Sequence, residues 1–257
     1  MPYYRKNNAI SAYSLLENRF GLWARMYGSF FYLLTQVARI GAVTYLMALP
    51  LHVLAGVDIT LIIFFIGFIT ILYSLLGGIV AVIWTDAFQS IVLIIGAIAC
   101  IGIMIFKLPI SLSESLTLLS THQKLSLGDF GLHWDQPTFW VILMYGFFTN
   151  LQNFGIDQSY VQRYVTAKNE NEAKKSVWIG ALLYIPVSAL LFLVGTLLFL
   201  WYQTHPQQLA ELQALGLSGD KVFPHFIGTQ LPPGIVGLVI AAILSAGMSS
   251  VSTSLNS

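Results

Sequence analysis

Long apolar runs alternate with short polar stretches along this chain. A helix that crosses a bilayer needs roughly 20 mostly apolar residues. Six runs fit that description, at about 22–51, 59–76, 87–106, 138–160, 177–201 and 234–257. The first is longer than a membrane needs, which predicts tilt or extension into solvent. The second ends on Gly77-Gly78. The stretches 107–137 and 202–233 are polar, contain Pro, Gly and His, and read as loops. Residues 8–19 predict a short amphipathic helix ahead of the first span, with interface packing as its simplest role. The pattern describes an all-α membrane protein of about six transmembrane helices, with residues 1–257 as one transmembrane region.

The sixth run has the most unusual polar pattern. After apolar residues from Gly234 to Leu244 come Ser245, Ser249, Ser250, Ser252, Thr253, Ser254, Asn256 and Ser257. Hydroxyls and an amide deep in an apolar helix are unfavourable unless they face a cavity, a partner or a ligand. At helical spacing Ser245, Ser249, Ser252 and Asn256 share a face, flanked by Ser250 and Thr253. Neutral oxygens in a strip suit a hard monovalent cation such as Na+. Small residues also let helices approach closely. The strip alone leaves both readings open.

Composition supports the membrane reading. Hydrophobic residues make up 56% of the chain and charged residues 9%, against about 25% charged in soluble domains. A net charge of +1 offers no field for nucleic acid. The single Cys100 excludes an internal disulfide and reads as packing. The first residues lack the apolar core of a signal peptide. The chain opens on a polar stretch and stops inside what should still be helix, which reads as the middle of a larger transporter; a short natural chain is the alternative.

Basic residues orient the spans. Arg5, Lys6, Arg19, Arg25, Arg163, Lys168, Lys174 and Lys175 fall on one side, and Lys107, Lys124 and Lys221 on the other. This bias predicts a cytoplasmic N-terminus. The remaining basic residue, Arg39, lies inside the first span. An Arg at a helix centre costs about 2.5–3.5 kcal/mol on insertion scales, so it needs water or a partner. Its fork suits a carboxylate, either on an anionic substrate or on a structural partner: Asp86, Asp157 or an acid in sequence missing from this chain. Tyr32 and Gln36 share its face.

Asp86, at the mouth of the third span, reads as a helix N-terminal acid or as the negative charge of a cation site. Asp157 reads as a loop contact or a partner of Arg163. Asn150, Gln152 and Asn153 lie near Gly155, which can break the helix; they suit either a hydroxyl-rich solute or interhelical hydrogen bonds. His52, His122, His133, His205 and His225 read as surface residues. No nucleophile elbow, paired metal-ligand histidines or phosphate loop is present, so the chain does not read as an enzyme. None of these residues points to a cofactor.

Four segments resemble the sodium:solute symporter family. They are Ile10 to Phe20 with Glu17; Gly77-Gly78 followed by Trp84-Thr85-Asp86 and Gln89; Asp157 to Tyr164 with the basic stretch after Ala167; and the terminal run from Ser249 to Ser257. The resemblance implies a leucine-transporter-like core of two inverted repeats, of which this chain would hold core helices three to eight. It implies a common sodium site at Ala246 (by its carbonyl), Ser249 and Ser250. It also implies a second at Asp86, Ser249, Ser252 and Thr253, hence two ions per cycle.

Members that carry sugars or proline have no Arg at the position of Arg39, whereas the bacterial sodium–sialic acid branch does, in a context similar to Ala38-Arg39-Ile40-Gly41. There it clamps the carboxylate of the sugar acid. Gln36, Phe147, Asn150, Gln152 and Asn153 are the further candidates to line that site. The implied function is sodium-coupled symport of a small organic anion, sialic acid (N-acetylneuraminate), by alternating access. The partners are Na+, the solute and the bilayer, with no nucleic acid. The alternatives are symport of another carboxylate, sugar or amino acid, and an inactive membrane fragment.

Overall fold

The computed structural model describes residue 4 and residues 11–257. All the regular structure among them is helical. In chain order the helices are α1 (Ser14–Phe20), α2 (Leu22–Ala55), α3 (Ile59–Lys107), α4 (Leu112–Thr121), α5 (Phe139–Gly155), α6 (Gln158–Thr166), α7 (Glu170–Thr204), α8 (Pro206–Ala214), α9 (Val222–Gln230) and α10 (Pro233–Asn256). A 3₁₀ turn, Gly219–Lys221, precedes α9. Four of them, α2, α3, α7 and α10, are long and apolar enough to cross a membrane.

Several boundaries differ from the sequence pattern, each for a local reason. The second and third spans form one 49-residue helix, kinked at Gly78 (φ 54°, ψ −156°). That backbone is open to glycine and strained for any L side chain, so the Gly77-Gly78 stop is real. The chain resumes helix at once instead of at 87. The fourth span is shorter than expected: α5 ends at Gly155, and Asp157 caps a new helix, α6, by accepting from Ser159 N at 2.9 Å. Helix α7 begins well before 177 because Glu170 and Glu172 occupy its first turn, where the helix dipole favours acids, and Lys174 pairs with Glu170 at 2.6 Å. The supposed loops hold helices. In the second, Pro206 opens α8, a position that suits its missing N–H and fixed φ. Of the amphipathic segment 8–19, residues 8–10 lie outside the described residues, and the helix itself is Ser14–Phe20.

The chain divides into two compact units, one of residues 1–34, 119–183 and 257, the other of 35–118 and 184–256. The core of the second unit is a seam of α2, α3 and α10. Met47 and Ala48 of α2, Ile62 and Ile66 of α3, and Val251 of α10 are buried, with Ile40, Val43, Leu51, Leu244 and Met248 packed around them. Two glycines make the close approach possible. A Cβ on Gly96 would lie 2.5 Å from the Cβ of Ala242, and one on Gly247 would lie 1.9 Å from Met47 Sδ. Small residues at the contact are how helices associate where lipid supplies no hydrophobic drive. Outside the seam the helices expose Phe64, Phe68, Phe88, Ile95 and Phe192, a surface suited to lipid and not to water.

The first unit is built around α1, α5, α6 and the start of α7. Val161, Tyr164 and Ala173 are buried in it, and so are the polar side chains of Gln158 and Ser159.

Candidate functional site

In the second unit, the second half of α3 packs along α10, and this brings Asp86 against the hydroxyl strip. Ser249 Oγ donates to Asp86 Oδ1 at 2.6 Å, and Thr253 Oγ1 donates to Oδ2 at 3.2 Å. Asp86 is only 9% exposed. Its two contacts are one helical turn apart on α10, so a single face of that helix serves both carboxylate oxygens. Hydrogen bonds to a charged group contribute about 1.5–3 kcal/mol each. Both of these donors are neutral hydroxyls that solvate the carboxylate.

The other strip residues bond along their own helix. Ser252 is fully buried and donates to Ser249 O at 3.1 Å; Ser250 donates to Ala246 O at 3.3 Å. Tyr73 of α3 reaches Met248 O at 3.4 Å. The structure thus joins Asp86, Ser249 and Thr253 directly and sets Ala246, Ser250 and Ser252 on the same two turns. The edge facing the acid is 249/253, one residue from the shared face of the strip and one from its flank. One carboxylate among hydroxyls and carbonyls is a hard-oxygen set. Among the described residues no three His, Cys, Asp or Glu side chains cluster as a metal site would require.

Sequence reasoning gave Gln89 no role. It is buried one turn beyond Asp86, and its Oε1 has no hydrogen-bond partner among the described residues. The Asp-x-x-Gln spacing is the signal that could have found it, since i and i+3 share a helix face.

The candidates for holding a substrate fall into both units. Arg39 is exposed on α2 and makes no ion pair or hydrogen bond with any described residue. Asp86, one structural partner considered for it, accepts from α10. One turn earlier Gln36 is buried, with Oε1 lacking a partner among the described residues.

In the first unit, Asn150 and Phe147 line a groove of about 740 Å³ together with Phe139, Ile142, Leu143 and Gly146. Asn150 donates to Gly146 O at 2.8 Å. That groove is too apolar to hold a polyhydroxyl solute by itself. Gln152 is exposed and Asn153 half-buried, just before the helix break.

The break is tightly held. Gln152 O accepts from both Ile156 N and Asp157 N. Tyr164 Oη donates to Phe154 O at 3.3 Å, and Tyr4 Oη to Gly155 O at 2.8 Å. Burial, followed by Tyr160, Asp157 and Tyr4, pushes the Tyr164 phenol up to about 12. Burial likewise raises Tyr13, with Tyr32, Asp157 and Tyr4 adding to it.

The model of the sodium:solute symporter family matches residues 1–257. The chain belongs to the sodium:solute symporter family. It is 36% identical, over 258 residues, to the sodium/sialic acid symporter of Aliivibrio fischeri, and 34% identical, over 258 residues, to that of Proteus mirabilis. In both cases the whole chain is matched. A solved structure of a substrate-bound, outward-open Na+-coupled sialic acid symporter superposes with a TM-score of 0.91 at 34% identity, over 99% of this chain and 52% of the other. The chain spans 50% and 51% of those two curated relatives. Membership makes it a multi-pass membrane protein of a transporter family and agrees with the four resemblant segments.

Proposed function

We propose that this chain forms the central helices of a sodium-coupled symporter for a small organic anion, with sialic acid as the solute. The observation that carries the sodium half is the nearly buried Asp86 bridged to Ser249 and Thr253. A cation entering there replaces two hydroxyl donors with its own charge, and the hydroxyls turn their lone pairs toward it. Because α3 supplies the acid and α10 the hydroxyls, the ion ties two helices together. Ser252 adds a fourth side chain to this site. Ala246 O, Ser249 and Ser250 provide α10's share of the common sodium site, giving two ions per cycle. By linkage, sodium raises solute affinity by the factor by which solute raises sodium affinity.

Arg39 supports the anionic solute. It is a membrane-helix cation without a partner among the described residues, and a guanidinium binds a carboxylate through two parallel hydrogen bonds. The sialic acid symporters it resembles provide the solute class. Gln36, Phe147, Asn150, Gln152 and Asn153 are the further candidates for solute contact in this reading. The protein is not an enzyme; it works by alternating access in the bacterial inner membrane, with the N-terminal end of this chain in the cytoplasm. No other cofactor and no nucleic acid takes part.

The test is sodium-driven uptake of labelled N-acetylneuraminate by the full protein, as its gene encodes it, in proteoliposomes. Uptake that is lost in Arg39→Ala is the expected result. Full uptake by that variant would remove the carboxylate clamp, and no sodium stimulation in the wild type would remove the symport reading.

A further inference from the structure

The break between α5 and α6 exposes carbonyls that a continuous helix would have satisfied. A helix end leaves its last four C=O groups without intrahelical donors. At the end of α5 these belong to residues 152–155. Gln152 O is used by the backbone of Ile156 and Asp157. Phe154 O is taken by the Tyr164 hydroxyl from α6, and Gly155 O by the Tyr4 hydroxyl from the segment before α1. A further bond runs from the same segment to α6: Ala12 N donates to Gln158 Oε1 at 2.8 Å, with both residues buried. Asp157 caps α6 on the far side of the gap. One segment remote in sequence, the stretch before α1, thus bridges both sides of a gap only two residues long. Gln152 and Asn153 lie on the last turn of α5, among the carbonyls this clamp holds, whereas the Asn150 amide one turn earlier is held by Gly146 O.

We propose that Tyr4, Tyr164 and Gln158 are positioning residues: they hold the α5–α6 break at a fixed angle and so aim the amides of Gln152 and Asn153 at the solute. The consequence for transport rests on the symporter reading above; the clamp itself does not. Backbone hydrogen exchange of the full protein in lipid nanodiscs reads the clamp. The double variant Tyr4→Phe/Tyr164→Phe keeps both rings and loses both donors. Exchange at Ile156 and Asp157 is expected to rise roughly ten-fold, the scale of one or two lost hydrogen bonds. Tyr160→Phe, a nearby ring packed on Phe154, is the control and leaves exchange unchanged.

In proteoliposomes the double variant is expected to raise the half-saturating solute concentration roughly ten-fold, with the half-saturating sodium unchanged. A merely structural role would lower the amount of folded protein and the maximal rate alone. Unaltered exchange at residues 156 and 157 overturns the clamp. Faster exchange with an unaltered solute half-saturation overturns the positioning role. If the wild type carries no sialic acid, the function reading falls and the exchange measurement alone decides the clamp.

Discussion

The seam of α3 with α10 and the break between α5 and α6 solve the same problem in opposite ways. Both put polar groups into apolar surroundings, where an unsatisfied donor or acceptor is costly. At the break, backbone carbonyls are covered by neutral donors from Tyr4 and Tyr164. At the seam, the buried group is a carboxylate that accepts from Ser249 and Thr253. A buried carboxylate among hydroxyls is a hard-oxygen set that a cation can enter; carbonyls covered by phenols form a structural joint. The two regions should therefore respond to different perturbations.

The largest separation comes from the glycine contact. In Gly247→Val the new Cβ would fall on Met47 Sδ, and overpacking of this kind typically costs about 1–3 kcal/mol. The expected outcome is a fall in thermal stability and loss of sodium-stimulated uptake, partly restored by adding Met47→Ala, while exchange at residues 156 and 157 stays as in the wild type. A variant that instead loosened the break would erase the distinction between the regions.

Next in size are the hydroxyls on Asp86. Ser249→Ala removes an oxygen ligand from both proposed sodium sites and Thr253→Val from one, so sodium half-saturation should rise about ten-fold or more in the first and less in the second. Asp86→Asn should lower the sodium Hill coefficient toward one. Ion-dependence curves for the three variants check the ranking, and equal curves for the serine and threonine variants would refute the sharing of Ser249 by two sites.

Much of the seam was legible because its signals are local. Apolar runs located the spans, Gly77-Gly78 marked the kink, and the Asp86 and serine motifs named residues that the fold joins. The detail of who faces whom was not. Helical spacing could not say which edge of the strip meets Asp86, because the rotation of α10 is set by Gly96 meeting Ala242 and Gly247 meeting Met47, contacts between remote segments. The break was legible only in part. Gly155 suggested it, but apolar residues continue past it and drew the fourth span through to 160. What ends the helix is the Asp157 cap with Ser159. What holds the end is Tyr4, about 150 residues away in sequence, beyond any periodicity argument.

A smaller effect belongs to that cap. Asp157→Ala removes the acceptor of Ser159 N, a change that costs helices about 1 kcal/mol. Exchange should quicken over the first turn of α6, with sodium half-saturation unmoved. A shift in sodium dependence would mean that the break and the ion site are energetically coupled.

The smallest effect is a titration. A phenol held above its ordinary value of about 10 keeps its proton in the folded protein while the unfolded chain releases it. Tyr164, raised to about 12 by burial, therefore contributes its full share below pH about 10, and stability falls as pH rises from there through about 12. Above that range the phenolate can no longer donate to Phe154 O, and its charge repels the carbonyl. An absorbance titration of phenolate in wild type and Tyr164→Phe isolates this group by difference. A difference curve centred near 12 is expected. One centred near 10 would mean that the hydroxyl is not held in the folded state, and the joint at the break would lose the donor that sets it apart from the ion site.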